Sequence, residues 1–352
     1  MTSQTPHHAQ FQEITLKIGG HISSNVDADA IVSQRLQALE EGVHFMHQHA
    51  LGDELLQSWF NACQDLLDHS YPRRTRQSVW RAIHVFLKTQ KPRLQILRML
   101  IFNAIRKSQG DCLWRQIALR YLTEDGARVE YFADDFGPLM NSLFLQSDAK
   151  DNLLEYTVLV FKRSFYSLPE EAVGMIIDSV CVLCNGAIDT KHKPLVQRCM
   201  TFADVVVRYG SLPLLSVPSF VSMLCRTVNI ESHGSWKIMR NLLSGKLGYT
   251  CRQAMVHMLE DPGSGLLFNW RQGEQHTGCL ESDSSKGGHE SLSAHDQTQR
   301  KAGVLRGAVF YVAMSSWGSQ KIRSLRAPFV SILPALQSVL TCEYKLVTFE
   351  VI

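Results

Sequence analysis

The chain has 352 residues, 45% of them hydrophobic and 20% charged, with a formal net charge of +3 at pH 7, which suits one elongated domain or two average ones and leaves ample apolar surface for a core. A charge this small does not call for a polyanion partner, because nucleic-acid-binding domains concentrate far more basic charge. Nine cysteines, an odd number scattered through helical patterns with no secretory signal ahead of them, point to a reduced intracellular compartment; apolar stretches such as LPLLSVPSFVSML are broken by Pro213 and Pro218 and fall short of the roughly 18 to 20 residues of a membrane-spanning helix.

Residues 1–30 are polar, with no sustained apolar period to offset the entropy of ordering, and are expected to form a disordered tail. Helical spacing begins after Asp29, with Ile31, Leu36, Leu39, Val43 and Met46 on one stripe. Asp53 is placed to cap a second helix that carries Leu56, Trp59, Phe60 and Cys63 and ends before Pro72. The same pattern predicts further helices over residues 73–89, 92–107, 112–123, 130–146, 151–166, 169–186, 193–209, 213–229, 234–244 and 247–260. Proline or glycine marks most of the breaks, among them Pro92, Gly110, Gly126, Pro169, Gly210 and Gly245.

Helices of this length, joined by short turns in units of about 40 residues, predict an all-α chain, an α-solenoid of stacked HEAT- or armadillo-like hairpins. Residues 261–303 are rich in Gly, Ser, Gln and His and are expected to be a disordered insertion in a solenoid spanning residues 31–340. Helical spacing resumes at Leu305 and again at Val330, while residues 341–352 end in the β-prone YKLVTFEVI.

Few motifs suggest chemistry. No GxxxxGK[ST], GxSxG or HExxH motif is present, and Asp134 and Asp135 are adjacent and so diverge on a helix, which argues against an acid/base pair. Cys181 and Cys184 form a CxxC within an apolar helix, where packing is the better reading than a redox or zinc site. His44, His47 and His49 lack an acidic or sulfur partner to complete a metal shell. No metal or other cofactor is expected.

One run stands out. Residues 73–107 carry ten cations, including Arg73, Arg74, Arg76, Arg81, Arg93 and Arg98, and not one Asp or Glu. Such a stripe could meet phosphates, an anionic membrane or an acidic coiled coil, or be a solvated helical face. Trp80, Phe86 and Phe102 lie in the apolar stripe and read as core anchors rather than base-stacking platforms.

Two longer stretches carry a resemblance. SFVSMLCRTVNIESHGSWKIMRNLLSGKLGY, residues 219–249, and VLRGAVFYVAMSSWGSQKIRSLRAPFVSILPALQSVL, residues 304–340, resemble the N-terminal domain of the tuberin family. PRLQILRMLIFNAIRKS and MIIDSVCVLCNGAI follow it more loosely, so the likeness spans roughly residues 31–340, and residues 341–352 depart from the pattern. The resemblance implies an α-solenoid scaffold that binds the hamartin coiled coil within the TSC complex, which acts on the small GTPase Rheb and restrains TOR signalling. The family's GTPase-activating domain lies far downstream and is not among these residues, so the resemblance implies no catalysis by this chain, and contact with Rheb only through that domain. It also implies a cytoplasmic chain that the complex brings to the lysosomal membrane surface. Arg226, Trp236 and Arg240 are the partner-binding candidates in the most specific stretch, being the residue types enriched at binding hot spots. A basic helical-repeat module for nucleic acid or anionic lipid, using residues 73–107, is the alternative reading.

Overall fold

The structure is a computed structural model that describes residues 6–20, 28–108, 110–146, 150–260 and 294–317. Every regular element among them is helical. They fall into two compact units, Met1–Leu168 and Pro169–Ile352.

The first unit holds α1 (Pro6–Ile18), α2 (Ala28–Gln48), α3 (Asp53–Cys63), α4 (Arg73–Gln90), α5 (Gln95–Lys107), α6 (Cys112–Leu122), α7 (Ala133–Gln146) and α8 (Lys150–Arg163). Helices α2, α4 and α6 pack side by side as one layer, while α3 lies against α5, so successive hairpins stack as the predicted repeats require. The apolar stripes meet in a core that includes Trp59, Trp80, Phe86 and Phe102, each essentially inaccessible to solvent. Arg115 is buried with them, donating from Nε to the Ile105 carbonyl (2.9 Å) and from Nη1 to Gln146 Oε1 (3.1 Å). It satisfies an otherwise open carbonyl near the end of α5.

Helix α1 corrects the expected tail of residues 1–30. Phe11, Ile14 and Ile18 recur at helical spacing and are buried against α2 and α3, each burial contributing about 2 kcal/mol before ordering costs. Arg35 of α2 fixes the end of α1 by donating Nε to the Ile18 carbonyl at 2.5 Å, and its fork is held by both oxygens of Asp65 at 2.7 and 2.9 Å. Asp53 does not cap α3. It is the first residue of that helix, and its carboxylate accepts from the backbone N–H groups of Arg93 and Leu94 (3.3 and 3.2 Å), one hairpin further on.

The second unit holds α9 (Glu170–Asp189), α10 (Lys193–Tyr209), α11 (Val217–Thr227), α12 (Ser232–Ser244), α13 (Gly248–Glu260) and α14 (Ala294–Trp317). Helix α11 is central, packing on α9, α13 and α14. Gly210, at φ 65°, ends α10 in the left-handed conformation that favours glycine. Helix α9 is long and apolar enough to cross a membrane, a point the apolar-stretch reading missed, yet 61% of its most apolar window is buried inside the protein. It behaves as a core helix.

Helix α14 begins at Ala294 and so covers the last part of the expected insertion at 261–303; Val304, Leu305, Ala308 and Tyr311 bury its inner face. The remainder of that segment, residues 261–293, and the tail at 341–352 lie outside the described residues. The close approach of α14 depends on Gly307, where any Cβ would overlap the Cys225 backbone of α11. Tyr311 donates its hydroxyl to the Leu224 carbonyl at 2.9 Å.

Candidate partner-binding surfaces

The basic run of residues 73–107 sorts itself into engaged and available charge. Asp111 is buried, its side chain 1% exposed, and faces Arg76 Nε at 3.1 Å, Arg73 Nε at 3.6 Å and Gln77 Nε2 at 3.3 Å. Arg76 also donates to the Tyr71 carbonyl at 2.7 Å. Arg98 donates from Nη2 to the Leu122 carbonyl and to Glu124, both at 3.0 Å, and its guanidinium sits 5.3 Å above the Tyr131 ring. Arg106 pairs with Asp135. The acids that hold these cations all lie beyond residue 107, so a local count of charges overstates the free positive surface.

Arg76 and Arg98 are therefore corrected from partner contacts to internal ties, for each is largely covered and engaged. Arg73 keeps a 75% exposed side chain despite its long contact with Asp111. Arg74, Arg81 and Arg93 are exposed. Arg81 lies 5.4 Å from the centre of the Trp114 ring, and Trp114 and Tyr121 of α6 meet the His84 ring edge-on at 6.4 and 4.8 Å. Burial, with Lys88 nearby, lowers the pKa of His84. This cluster of His84, Trp114 and Tyr121 escaped the sequence reading; its signal is the pair Trp114 and Tyr121, seven residues and so about two turns apart on α6.

In the second unit, Arg226 is corrected outright. Its side chain is 4% exposed and pairs with Asp189 of α9, which Arg300 of α14 also engages. Burial lowers the pKa of the guanidinium, while the Asp189 carboxylate opposes that shift. One carboxylate thus serves two cations, and Arg226 Nη1 has no hydrogen-bond partner. Trp236 is half-buried, its ring stacked 6.4 Å from that of Tyr311. Arg240 is exposed on α12. Of the three candidates in this stretch, the structure leaves only Arg240 fully on the surface.

Asp178 of α9 is a half-buried acid, accepting from Ser219 Oγ at 2.6 Å and Ser216 Oγ at 3.4 Å. Burial raises its pKa above the ordinary 3.8 and the two hydroxyls only partly offset this. The unfolded chain therefore loses this proton at lower pH than the folded chain, so stability falls as pH rises from 3.8 to the raised folded value and is then flat. The expected result is that Asp178→Asn abolishes this slope, measured by urea unfolding of both chains across that range; parallel pH profiles would contradict it.

The CxxC pair is buried, Cys181 at 1% and Cys184 at 0% exposure, and burial pushes the Cys181 thiol up. That is packing behaviour rather than redox poise. Among the described residues no group of three or more His, Cys, Asp or Glu is placed to hold a metal ion.

These features define an all-α protein of stacked helical hairpins in which much of the polar chemistry ties neighbouring helices together. The chain belongs to the family described as a domain of unknown function, DUF3384, which matches residues 32–352 and so continues through the tail at 341–352 that was expected to depart from the family pattern. It is similar to the tuberous sclerosis 2 protein homolog of Schizosaccharomyces pombe (strain 972 / ATCC 24843), at 22% identity over 274 residues, covering 70% of this chain and 19% of that protein. The chain thus spans about a fifth of its relative's length. A solved structure, the structure of the TSC2 N-terminus, matches 97% of this chain and 80% of its own with a TM-score of 0.66 at 15% identity, a likeness of fold. The resemblance to the tuberin N-terminal domain read from residues 219–249 and 304–340 therefore holds over most of the chain.

Proposed function

We propose that this chain is a non-catalytic helical scaffold of the tuberin N-terminal type, which binds hamartin in a TSC complex that regulates Rheb and restrains TOR signalling. The observation that carries this reading is the family match over residues 32–352 together with the similarity to a tuberous sclerosis 2 protein homolog. Stacked hairpins leave extended faces suited to a long helical partner. In this reading the chain works in the cytoplasm and reaches the lysosomal surface as part of the complex, and any contact with Rheb is made by a GTPase-activating domain elsewhere. The nucleic-acid or lipid alternative loses ground, since four of the ten cations in residues 73–107 are paired with acids of the same unit.

The test is association of the full chain with the coiled-coil region of hamartin, by light scattering after size-exclusion chromatography. A complex of defined mass at low and at high salt is expected, because an apolar helical interface is not screened away. Absence of a complex at both salts would refute the proposal.

A further inference from the structure

Three cations that the fold leaves available are Arg74, Arg81 and Lys88, all exposed and all on α4. They are separated by seven residues each. Seven residues are close to two helical turns, so the three side chains form one crest drifting only about 20° per step, and they span about 21 Å at 1.5 Å per residue. Helix α4 holds no acidic residue to neutralise them. No salt bridge is formed by any of the three among the described residues, the contact of Arg81 being with the Trp114 ring.

Beside this crest runs the outer face of α6. Leu113 and Tyr121 are 43% and 40% exposed, and Ile117 between them is partly open. The two helices pack together, so the apolar row, about 12 Å long at 1.5 Å per residue, lies beside part of the longer charged row. The nearest acids on the α6 side are engaged elsewhere: Asp111 is buried under Arg73 and Arg76, and Asp125 is held by Arg120 at 2.9 Å.

From this we infer that the α4–α6 face is the docking surface for a coiled-coil helix that carries acidic residues at heptad spacing beside its apolar seam. The inference rests on the proposed scaffold function and names the surface it uses. Cations every seven residues match the e or g positions of such a helix, which recur at the same interval and set partner choice by charge. Leu113 and Ile117, at i and i+4, with Tyr121 one turn further on, offer an apolar strip to its a and d seam. A polyanion fits less well: the crest offers one charge per two turns, and the Trp114 ring is covered by Arg81 and His84 rather than open for base stacking.

The experiment uses the full chain and the hamartin coiled-coil region as probe, with affinity measured at low and moderate salt. The crest variant carries Arg74→Glu, Arg81→Glu and Lys88→Glu; a control carries Lys162→Glu, Lys193→Glu and Lys246→Glu, exposed lysines outside the 73–107 run, with the same change in net charge. Thermal melts establish that each is folded, and a milder crest variant, Arg74→Gln with Lys88→Gln, stands in should the triple variant unfold. The crest variant is expected to bind about tenfold more weakly or worse, as three exposed pairs turn from attraction to repulsion, while the control stays within about twofold and Tyr121→Ala weakens binding at both salts. Equal loss in crest and control, or no loss in either, overturns the docking surface while leaving the scaffold proposal standing. Failure of the unaltered chain to bind the probe overturns both. Tighter crest-dependent binding to a single-stranded RNA or to phosphatidylserine vesicles than to the coiled coil would assign the face to a polyanion instead.

Discussion

Gly126→Ala is expected to destabilise the first unit by about 3 kcal/mol, combining about 1 to 2 kcal/mol for a side chain forced into left-handed backbone with a similar overpacking term. Gly126 sits at φ +83°, and a Cβ there would lie 2.7 Å from Val160 Cγ2 and 2.9 Å from Val160 Cα. Backbone on the far side cannot yield as a flexible side chain would. The turn is fixed from several directions: the Gly126 N–H donates to Thr123 Oγ1 at 3.2 Å, and Ser164 donates to its carbonyl. Thr123 Oγ1 is itself 2.8 Å from the Tyr156 hydroxyl. Glu124 and Asp125 precede it with φ of 52° and 54°, so three consecutive residues hold unusual backbone. Gly110 supplies the control, having φ +71° but no atom within 4 Å of the point a Cβ would occupy; Gly110→Ala should cost only about 1 kcal/mol. Urea unfolding of both variants decides the matter, and equal losses would show that the contact with Val160 is immaterial.

The second large effect is expected at Asp189. Removing its carboxylate as Asp189→Ala leaves the buried Arg226 facing Arg300 without a counter-charge, at a cost of about 2 kcal/mol, below that of a fully buried pair because Asp189 itself is partly open to solvent. Arg226→Met should cost clearly less, since Asp189 keeps Arg300 and one buried guanidinium with an unsatisfied Nη1 disappears. This order separates a cluster built on a buried guanidinium from a surface contact, for which the two losses would be alike and near zero. Chemical unfolding followed by near-ultraviolet circular dichroism reads the second unit through the Trp236 and Tyr311 pair. A greater loss in Arg226→Met than in Asp189→Ala would contradict the role given to the carboxylate. For the same reason Arg226→Glu is a poor probe of binding, while Arg240→Glu, on the exposed side of α12, tests that surface without disturbing the core.

Most helices are legible in the sequence because their apolar stripes are long. The 73–89 pattern becomes Arg73–Gln90 and the 193–209 pattern becomes Lys193–Tyr209. Helix α1 escapes such a reading because three buried residues in a short polar stretch give a weak period, and its stability comes from α2 and α3 rather than from its own propensity. The start of α14 is hidden for a related reason: residues 294–303 are polar, and Arg300 is held in place through Asp189, 111 residues earlier. The candidate sites are harder still. Residue type singles out Arg226, Arg76 and Arg98 as available cations, but their partners are distant in sequence, and pairing is a property of the stack. What stays visible is the heptad interval of Arg74, Arg81 and Lys88, whose meaning depends on α6 lying alongside.

Hydrogen–deuterium exchange of the full chain, with and without the hamartin coiled-coil region, tests the central claim most directly. The account predicts added protection in α4 and α6, over residues 74–88 and 113–121, with α12 unchanged. Protection confined to α12 around Trp236 and Arg240, or no protection at saturating partner, would contradict it.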